Sequence, residues 1–409
     1  MNKKLVVVIG GGPSGMMAAI TARNSSKEVI LIEKNPKLGR KLLLTGNGRC
    51  NISHSGDIDS IISQIPINNK FFSGIYRNFI NKDLIEFLNK LGIEIYSESD
   101  GRIFPASNKA QDVLNALINE IKKIDINVIH DRVLDIKVIN NSIKSVICVE
   151  NNEILCDSII LATGGITYPN TGSTGDGCKI AEKLGHSISL LNPSLVQLYI
   201  NDSIIQELTG LSFEKVKIAI MNEENKSIFK DTGEILFTHK GISGPSVLNG
   251  SIHINKQRPD NYKLIIDFLP DMEINLLEKK IINLIDDNRK KSIQNTLEGL
   301  IQRRLLISLL KKSNIPENRI SSELKKEERI RLIENIKHLE LSISELGSFE
   351  EAMITSGGIS INQINPKTLE SKIIKNLYFA GEILDITGYS GGYNLQIAFS
   401  TGYVAGLNS

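Results

Sequence analysis

The chain has 409 residues, 41% hydrophobic and 23% charged, which is ordinary for a globular protein of two or three domains. Its 48 Lys and Arg residues nearly balance its 46 Asp and Glu residues, so the net charge is +2. This balance argues against a nucleic-acid-binding or membrane-surface protein, because no basic patch or polybasic run is present. We therefore expect a small-molecule partner.

The cysteines and the apolar runs indicate a cytoplasmic protein. Cys50, Cys148, Cys156 and Cys178 are scattered and form no C-x-x-C pair, which favours reduced thiols. The N-terminal apolar run is too short for a signal peptide, and no stretch reaches bilayer-spanning length. The histidines lack metal-ligand spacing, so we predict no metal site. The sequence does not indicate the oligomeric state.

The first thirty-five residues predict a strand, a glycine-rich turn, a helix and a second strand. Leu5–Ile9 is an apolar, mostly β-branched run typical of a buried parallel strand, Met16–Ala22 is compatible with a helix, and Lys27–Glu33 returns to strand. The turn between the first strand and the helix reads G-x-G-x-x-G. Because these parts occur in order and end on an acid, we predict a dinucleotide site rather than a structural turn.

Each glycine of that turn has a physical task. Gly10 permits the tight turn, Gly12 lets a pyrophosphate approach the backbone, and Gly15 lets helix and strand pack closely. The pyrophosphate then lies at a helix N-terminus, where free N–H groups favour an anion. Glu33 can accept hydrogen bonds from an adenosine ribose. The motif alone does not distinguish FAD from NAD.

The segment 41–51, KLLLTGNGRCN, follows the second predicted strand. Gly46 and Gly48 would give a cofactor access to the backbone, and two interpretations of Cys50 stay open. Cys50 is either a flavin-linked thiol or a packing residue. Disulfide reductases use paired cysteines and Cys50 has no near neighbour, although Cys178 could meet it in space. A packing role is therefore favoured.

The middle of the chain changes character near Pro193. Before it, Ala110–Lys123 predicts an amphipathic helix and Ser158–Leu161 a short buried strand that leads into Ala162-Thr163-Gly164. No second G-x-G-x-x-G follows, so a separate nicotinamide domain is not indicated. We predict an α/β fold with a discontinuous domain over 1–191 and 349–409. An insert over 192–348 is predicted to be β-rich over 192–270 and helical over 271–348.

The C-terminal segment predicts a second anion-compatible helix start. A strand over Leu377–Ala380 leads through Gly381-Glu382 to Gly391-Gly392 and then to a helix. Free amides near Tyr393–Gln396 could face a ligand. A helix N-terminus at this place would stabilise the negative charge of a reduced flavin, which favours FAD.

The N-terminal fingerprint, ATGG at 162–165 and the AGE at 380–382 together resemble the glutathione-reductase-type FAD-binding superfamily. GRKLLLTGNGRCN, GRIFPASNKAQDVL, LFTHKGISGPSVLN and GEILDITGYSGGYNLQIAFSTG resemble, more narrowly, the BaiN-like NAD(P)/FAD-dependent oxidoreductases. Members of that family include a reductase of 3-oxo bile-acid intermediates and enzymes labelled aminoacetone oxidases. The resemblance spans nearly the whole chain, and it implies fold and cofactor more directly than substrate.

The resemblance implies a Rossmann-like FAD-binding domain with an inserted β-barrel-like and helical unit, and NAD(P)H as a transient electron donor. It places Val133 against adenine and the start of the last helix beneath the flavin pyrimidine. Together with the motifs above, it implies that FAD is held by Gly10, Gly12, Pro13, Ser14, Gly15, Glu33, Lys34, Arg40, Lys41, Gly46, Asn47, Gly48, Cys50, Asn51, Val133, Thr163, Gly164, Asp176, Gly381, Glu382, Tyr393, Asn394, Leu395 and Gln396.

Two residues are candidates for the proton donor. His239 heads a glycine-rich turn in the insert, although a histidine capping a strand end is the simpler interpretation. Tyr389 could donate a proton near the flavin, although tyrosines in such loops more often pack. Asp176 could touch the cofactor or stabilise its own turn.

Three functions follow, in order of preference. The first is FAD-dependent, NAD(P)H-driven reduction of a small organic substrate such as an enone or ketone. The second is an oxidase that reoxidises its flavin with oxygen. The third, a flavin-bearing RNA-associated protein, is disfavoured by the near-neutral charge.

Overall fold

The computed structural model describes residues 3–409, which divide into two compact units. The first unit comprises the chain up to Pro193 together with Phe349–Ser409, and the second unit is Ser194–Ser348. The boundaries predicted from the sequence lie after residues 191 and 348.

Nineteen strands lie in the described chain. They are β1 Leu5–Ile9, β2 Glu28–Glu33, β3 Ser53–His54, β4 Ile95–Ser97, β5 Arg102–Pro105, β6 Asn127–His130, β7 Val133–Ile139, β8 Ser142–Cys148, β9 Glu153–Leu155, β10 Ser158–Leu161, β11 Ile188–Ser194, β12 Leu198–Ile200, β13 Ser212–Met221, β14 Ser227–Phe237, β15 Gly241–Ser243, β16 Lys263–Asp267, β17 Leu339–Leu346, β18 Ile354–Ile359 and β19 Leu377–Phe379.

The α-helices of the same residues number thirteen. They are α1 Pro13–Asn24, α2 Ile58–Ser63, α3 Asn69–Tyr76, α4 Asn81–Lys90, α5 Ala110–Lys123, α6 Asp176–Lys183, α7 Ser203–Leu208, α8 Pro245–Ser251, α9 Ile274–Asp287, α10 Ile293–Thr296, α11 Arg303–Lys312, α12 Lys326–Lys337 and α13 Tyr393–Asn408. No helix within residues 3–409 combines the length and the apolar character needed to cross a bilayer.

The first unit is built on a five-stranded parallel sheet in the order β19-β10-β1-β2-β6. Its central strand β1 is covered on both faces, since Val6, Val7 and Val8 are 0% exposed. This explains the uninterrupted β-branched run in the sequence. The predicted Rossmann-type α/β fold is confirmed.

Two helices from opposite ends of the chain pack directly on each other in this unit. A Cβ atom at Gly402 of α13 would lie 2.4 Å from the carbonyl oxygen of Ser14, and one at Gly406 would lie 2.4 Å from that of Ala18. The spacing of four residues on both helices puts these glycines on one face of α13. They allow α13 to approach the backbone of α1 closely.

The second unit contains a closed six-stranded barrel in the order β12-β15-β14-β13-β16-β17. The predicted β-barrel-like part of the insert is confirmed. Strand β17 lies in a segment predicted to be helical. Its sequence LELSISEL places Leu339, Leu341 and Ile343 on the buried face in strict alternation, and this period favours a strand over the neighbouring helices.

Candidate cofactor site

A cleft lies at the carboxyl edge of the parallel sheet in the first unit. Lining residues follow directly after β1, β2, β6 and β10, and Glu382 comes three residues after the end of β19. Parallel sheets bind ligands at this edge, where the connections leave the central strand in opposite directions. The space within the cleft is about 1420 Å³, including the part open to solvent.

The glycine turn forms one wall of the cleft. Gly10 has a φ of +108°, and a Cβ atom there would lie 2.5 Å from the carbonyl oxygen of Ala162. A Cβ atom at Gly15 would lie 1.8 Å from the carbonyl oxygen of Gly10. At Gly12, by contrast, a Cβ atom would meet nothing within 4 Å. Gly10 and Gly15 therefore shape the turn, while Gly12 faces open space at the N-terminus of α1.

Glu33 is 9% exposed and is held in place by local hydrogen bonds. Its Oε2 accepts from the N–H of Gly11 at 2.7 Å, and its Oε1 accepts from the backbone and side-chain amides of Asn35 at 2.8 and 2.6 Å. A carboxylate can accept about four hydrogen bonds. The orientation of Glu33 is therefore fixed, with acceptor capacity left for a ribose hydroxyl.

Asp176 lines the cleft within a cluster of charges. Its Oδ2 lies 2.9 Å from Lys34 Nζ, and its Oδ1 lies 3.3 Å from Arg132 Nη2. Burial alone would raise the pKa of Asp176, but the hydrogen bond and charge of Lys34 and the charge of Arg132 outweigh it and hold the pKa below its ordinary value. Asp176 is therefore ionised at neutral pH.

Helix α13 begins at the cleft in a turn that is fixed from both sides. With its amide oriented to satisfy both ends, Asn51 accepts from the N–H of Gly392 at 3.1 Å and donates to the carbonyl of Ser53 at 3.0 Å. The side chain of Asn394 accepts from the N–H of Gly388 and donates to its carbonyl, at 2.9 and 2.8 Å. These contacts fix the first turn of α13, from which Asn394 and Leu395 line the cleft.

Cys50 is fully buried and does not line the cleft. Its φ of +64° is left-handed, as are those of Gly46, Asn47 and Gly48. Burial raises the pKa of the Cys50 thiol to about 12, although a hydrogen bond with Thr45 acts in the opposite direction. A thiol with this pKa is protonated and unreactive at neutral pH.

The structure brings together most, but not all, of the residues predicted to hold a cofactor. The cleft is lined by Gly10, Gly12, Pro13, Ser14, Glu33, Lys34, Arg40, Lys41, Val133, Thr163, Gly164, Asp176, Glu382, Asn394 and Leu395. Outside its lining lie Gly15, Gly46, Asn47, Gly48, Cys50, Asn51, Gly381, Tyr393 and Gln396.

Several of the residues outside the lining make contacts within the protein instead. Gln396 is 1% exposed and accepts from Ser53 Oγ at 2.6 Å. Tyr393 stacks on His54 with ring centroids 5.0 Å apart, and burial raises its pKa to about 12. Gly381 lies against Ser14, since a Cβ atom there would be 2.4 Å from Ser14 Oγ.

The two candidate proton donors lie in different units. Tyr389 belongs to the first unit, in the turn before α13, where its carbonyl accepts from Asn394 at 3.2 Å. His239 belongs to the second unit, where it is exposed in the turn between β14 and β15. Within the described residues, no group of three or more His, Cys, Asp or Glu side chains is arranged to hold a metal ion.

Part of the cleft wall was not predicted from the sequence. Asn35, Arg132 and the segment 353–355 all line it. Arg132 precedes the predicted adenine contact Val133 and could have been found from that neighbourhood. Met353, Ile354 and Thr355 belong to no motif. They could not be predicted, because they are distant in sequence from the glycine turn and reach the cleft only through the folding of the chain.

The lining fits FAD. The open side of Gly12 leaves the space that a phosphate needs at the N-terminus of α1. The cationic side chains of Lys34, Arg40 and Arg132 also line the cleft and suit a diphosphate. An apolar lining for an aromatic ring system is supplied by Leu42, Ile354, Ile386, Leu395 and Ala398.

The Rossmann fold and this cleft define an FAD-dependent oxidoreductase. No second dinucleotide fingerprint accompanies the first. The chain belongs to the family described as "HI0933-like protein Rossmann domain", which matches residues 4–408.

Two relatives match over nearly their whole length. The chain is 33% identical to the 3-dehydro-bile acid delta(4,6)-reductase of Clostridium scindens, covering 99% of this chain and 98% of that protein. It is 28% identical to the ribosomal RNA dihydrouridine synthase of Escherichia coli, covering 98% and 97%.

A solved structure with a similar fold is the 3-ketosteroid-delta4-(5alpha)-dehydrogenase of Rhodococcus jostii RHA1 in complex with 4-androstene-3,17-dione. The TM-score is 0.53 at 12% identity, with 100% of this chain and 97% of that chain covered. At this identity the similarity concerns the fold alone.

Proposed function

We propose that the protein reduces a carbon–carbon double bond conjugated to a carbonyl group, using FAD reduced by NAD(P)H. The observation that supports FAD as the cofactor is the cleft, in which Gly12 leaves open space at the N-terminus of α1. A small organic substrate such as an enone is the first candidate.

The names of the two relatives support a double bond conjugated to a carbonyl group as the bond that is reduced. A delta(4,6)-reductase of a 3-dehydro bile acid acts on double bonds conjugated to a 3-keto group. A dihydrouridine synthase acts on uridine, whose ring double bond is conjugated to a carbonyl. The two reactions share an electron-poor double bond although their substrates differ greatly in size.

Bound FAD would supply hydride transfer, from NAD(P)H to the flavin and from the flavin to the β-carbon, while a proton is added at the α-carbon. The chain binds the diphosphate at α1, orients the ribose through Glu33, and surrounds the ring system with apolar side chains that exclude water. Tyr389, which belongs to the unit that holds the cleft, is the proposed donor of the proton. Tyr389 is supported by its position in the turn that leads into α13.

Anaerobic stopped-flow experiments test the proposal. Reduction of the bound flavin by NADH or NADPH is followed by mixing with an α,β-unsaturated ketone or with oxygen. We expect one nicotinamide to reduce the flavin and the enone to reoxidise it. Rapid reoxidation by oxygen, with no response to any enone, would instead support the oxidase.

The same experiment tests the proton donor. Tyr389→Phe should slow reoxidation by the enone and leave reduction by NAD(P)H unchanged, because only the second half-reaction takes up the proton at carbon. Equal slowing of both half-reactions would indicate a structural effect on the flavin site.

The 28% identity to the ribosomal RNA enzyme favours a second candidate, reduction of a uridine in RNA. Against it, the net charge of +2 on 409 residues gives little overall electrostatic attraction for phosphates. Incubation with unmodified ribosomal RNA and NADPH, followed by nucleoside mass spectrometry, distinguishes the two. A uridine that gains two hydrogens would make RNA the substrate.

We also propose a reducing, cytoplasmic compartment. All four cysteines are free in the structure, although three of them are buried. Free thiols in this number are typical of cytoplasmic proteins.

A further inference from the structure

We propose that Thr355 is a cofactor-binding residue, whose hydroxyl group donates a hydrogen bond to an acceptor atom in the flavin half of FAD, the ring system with its ribityl chain. This inference rests on the proposed FAD site and adds a polar contact to it.

Thr355 is buried in the wall of the cleft. The residue is 2% exposed, and it lines the cleft next to Ile354 at the start of β18. Ile354 is one of the apolar lining residues that suit an aromatic ring system, whereas the open space at Gly12 suits the diphosphate. We therefore assign Thr355 to the flavin half of the cofactor.

The acceptor capacity of the Thr355 hydroxyl is already used within the protein. A hydroxyl group has one donor and two acceptor positions. Thr355 Oγ1 accepts from the backbone N–H of Ile166 at 2.9 Å and from that of Thr167 at 3.2 Å. The same segment lies close around the hydroxyl, since a Cβ atom at Gly165 would be 2.4 Å from Oγ1. Towards any further partner, the hydroxyl can therefore act only as a donor.

The O–H of Thr355 has no acceptor among the residues that the structure describes. The backbone N–H of Thr355 donates to Glu382 Oε1 at 2.8 Å, but the hydroxyl does not bond to that carboxylate. Buried donors nearly always have a partner, because an unpaired one destabilises the protein. Since Thr355 lines the cleft, a ligand in the cleft can supply the acceptor.

Ser371 has the same arrangement with an acceptor inside the protein. Its Oγ accepts from the N–H groups of Ile373 and Ile374, both at 3.0 Å. Its O–H donates to His186 Nε2 at 2.8 Å, because Nδ1 of that ring lies 3.2 Å from a backbone carbonyl and so carries the ring proton. Ser371 is buried but does not line the cleft. The hydroxyl that lacks an internal acceptor is thus Thr355, at the cleft wall.

The flavin half offers acceptors that match this donor. The ring system carries two carbonyl oxygens and the ring nitrogens N1 and N5, and hydrogen bonds to these atoms tune the chemistry of a flavin. The ribityl hydroxyls are acceptors as well. The adenosine and diphosphate part of FAD is not expected to reach Thr355.

The affinities of the full-length apoprotein for FAD and for ADP test the inference, because ADP has the adenosine and diphosphate but no flavin half. Thr355→Val removes the hydroxyl and should raise the Kd for FAD about tenfold, while the Kd for ADP stays within about twofold of the wild type. Thr355→Ser keeps the hydroxyl and should bind both ligands as the wild type does. If Thr355→Val does not fold, Thr355→Cys gives the same comparison, since a thiol is only a weak donor.

Ser371→Ala is the matched control. Like Thr355→Val, it leaves two backbone N–H groups without their acceptor. It should leave the Kd for FAD and the Kd for ADP unchanged, because the Ser371 hydroxyl already has His186 as its acceptor. Thermal unfolding of each apoprotein separates a loss of stability from an effect on binding.

Weaker binding of FAD with ADP binding retained supports the inference. Equal weakening of FAD and ADP binding in Thr355→Val would overturn it, because the hydroxyl would then act only by holding the segment 165–167 in place. Unchanged FAD affinity in folded Thr355→Val would overturn it as well. A folded wild-type apoprotein that does not bind FAD would instead refute the proposed cofactor site itself.

Discussion

At the scale of single residues, the two glycines Gly12 and Gly15 differ in what a methyl group would meet. At Gly12 the space is open, and at Gly15 it is taken by the carbonyl of Gly10, 1.8 Å away. The same substitution should therefore have different consequences at the two positions. Alanine at Gly12 tests whether the ligand occupies the open space, and alanine at Gly15 tests the packing of the turn.

We expect Gly12→Ala to unfold at nearly the wild-type urea concentration but to bind FAD at least tenfold more weakly, because the methyl group occupies ligand space. Gly15→Ala should lose about 3 kcal/mol or more of unfolding free energy, because backbone atoms must move. Urea unfolding of the apoproteins and FAD titration measure both. Wild-type FAD affinity in Gly12→Ala would place the diphosphate elsewhere.

Cys50 has the burial and pKa of a packing residue. Cys50→Ser should retain FAD and most of its turnover, while losing about 1–3 kcal/mol of stability because a hydroxyl is buried. Flavin content, enone reduction and urea unfolding give the three values. If turnover were lost with FAD still bound, the thiol would be a redox group after all.

The pH dependence of stability gives an independent test of the same residue. The pKa of Cys50 is raised from 9.0 to about 12 in the folded protein, so unfolding releases a proton above pH 9. This contribution to stability is fully present below pH 9 and is lost as the pH rises towards 12. Cys50→Ala should therefore show a shallower loss of unfolding free energy than the wild type between pH 9 and pH 11. Parallel curves would mean that the folded thiol titrates normally.

At the scale of elements, the contact between α1 and α13 determines the shape of the cleft. α1 supplies the diphosphate end and α13 supplies Leu395 and Ala398. Gly402 and Gly406 allow the two helices to approach until a side-chain carbon would collide with the α1 backbone. A change on this face should disturb both ends of the site together.

Gly402→Ala should lower the unfolding free energy by about 3 kcal/mol and weaken FAD binding, because a Cβ atom would lie 2.4 Å from the carbonyl of Ser14. Gly74→Ala is the matched control. It also lies in a helix, but its Cβ atom would be 3.8 Å from the nearest atom, and helix propensity predicts a gain of about 0.5–1 kcal/mol. Equal stability in the two variants would show that α13 can shift without cost.

Local elements with a clear period could be predicted from the sequence. Ala110–Lys123 and Ser158–Leu161 have the predicted bounds, since the first shows one apolar face and the second is an uninterrupted apolar run. β17 was missed because its alternation follows a long charged helical segment. The fingerprint Gly10–Gly15 predicted one wall of the cleft, because the turn itself requires glycine at these positions and the motif is therefore visible in the sequence.

Contacts between distant segments could not be predicted in the same way. The pairing of Lys41 with Glu382 depends on the sheet order, and nothing near either residue specifies a partner 341 positions away. The left-handed φ of Cys50 could not be predicted either, because residues other than glycine rarely adopt it. Glycines at 46 and 48 indicated an unusual backbone, but not that Cys50 would be buried outside the lining of the cleft.

At the scale of the whole molecule, one unit holds the cofactor cleft and is assembled from both ends of the chain. The near-zero net charge argues against RNA as the substrate. The proposed function requires that a reduced flavin in this cleft pass its electrons to an electron-poor double bond more readily than to oxygen.

The most direct test is an anaerobic titration of the dithionite-reduced protein with an α,β-unsaturated ketone, followed by the visible absorbance of oxidised flavin. We predict that one equivalent of enone restores one equivalent of oxidised FAD and yields the saturated ketone. A flavin that stays reduced with every enone and every uridine-containing RNA, and is reoxidised only when oxygen is admitted, would contradict the account.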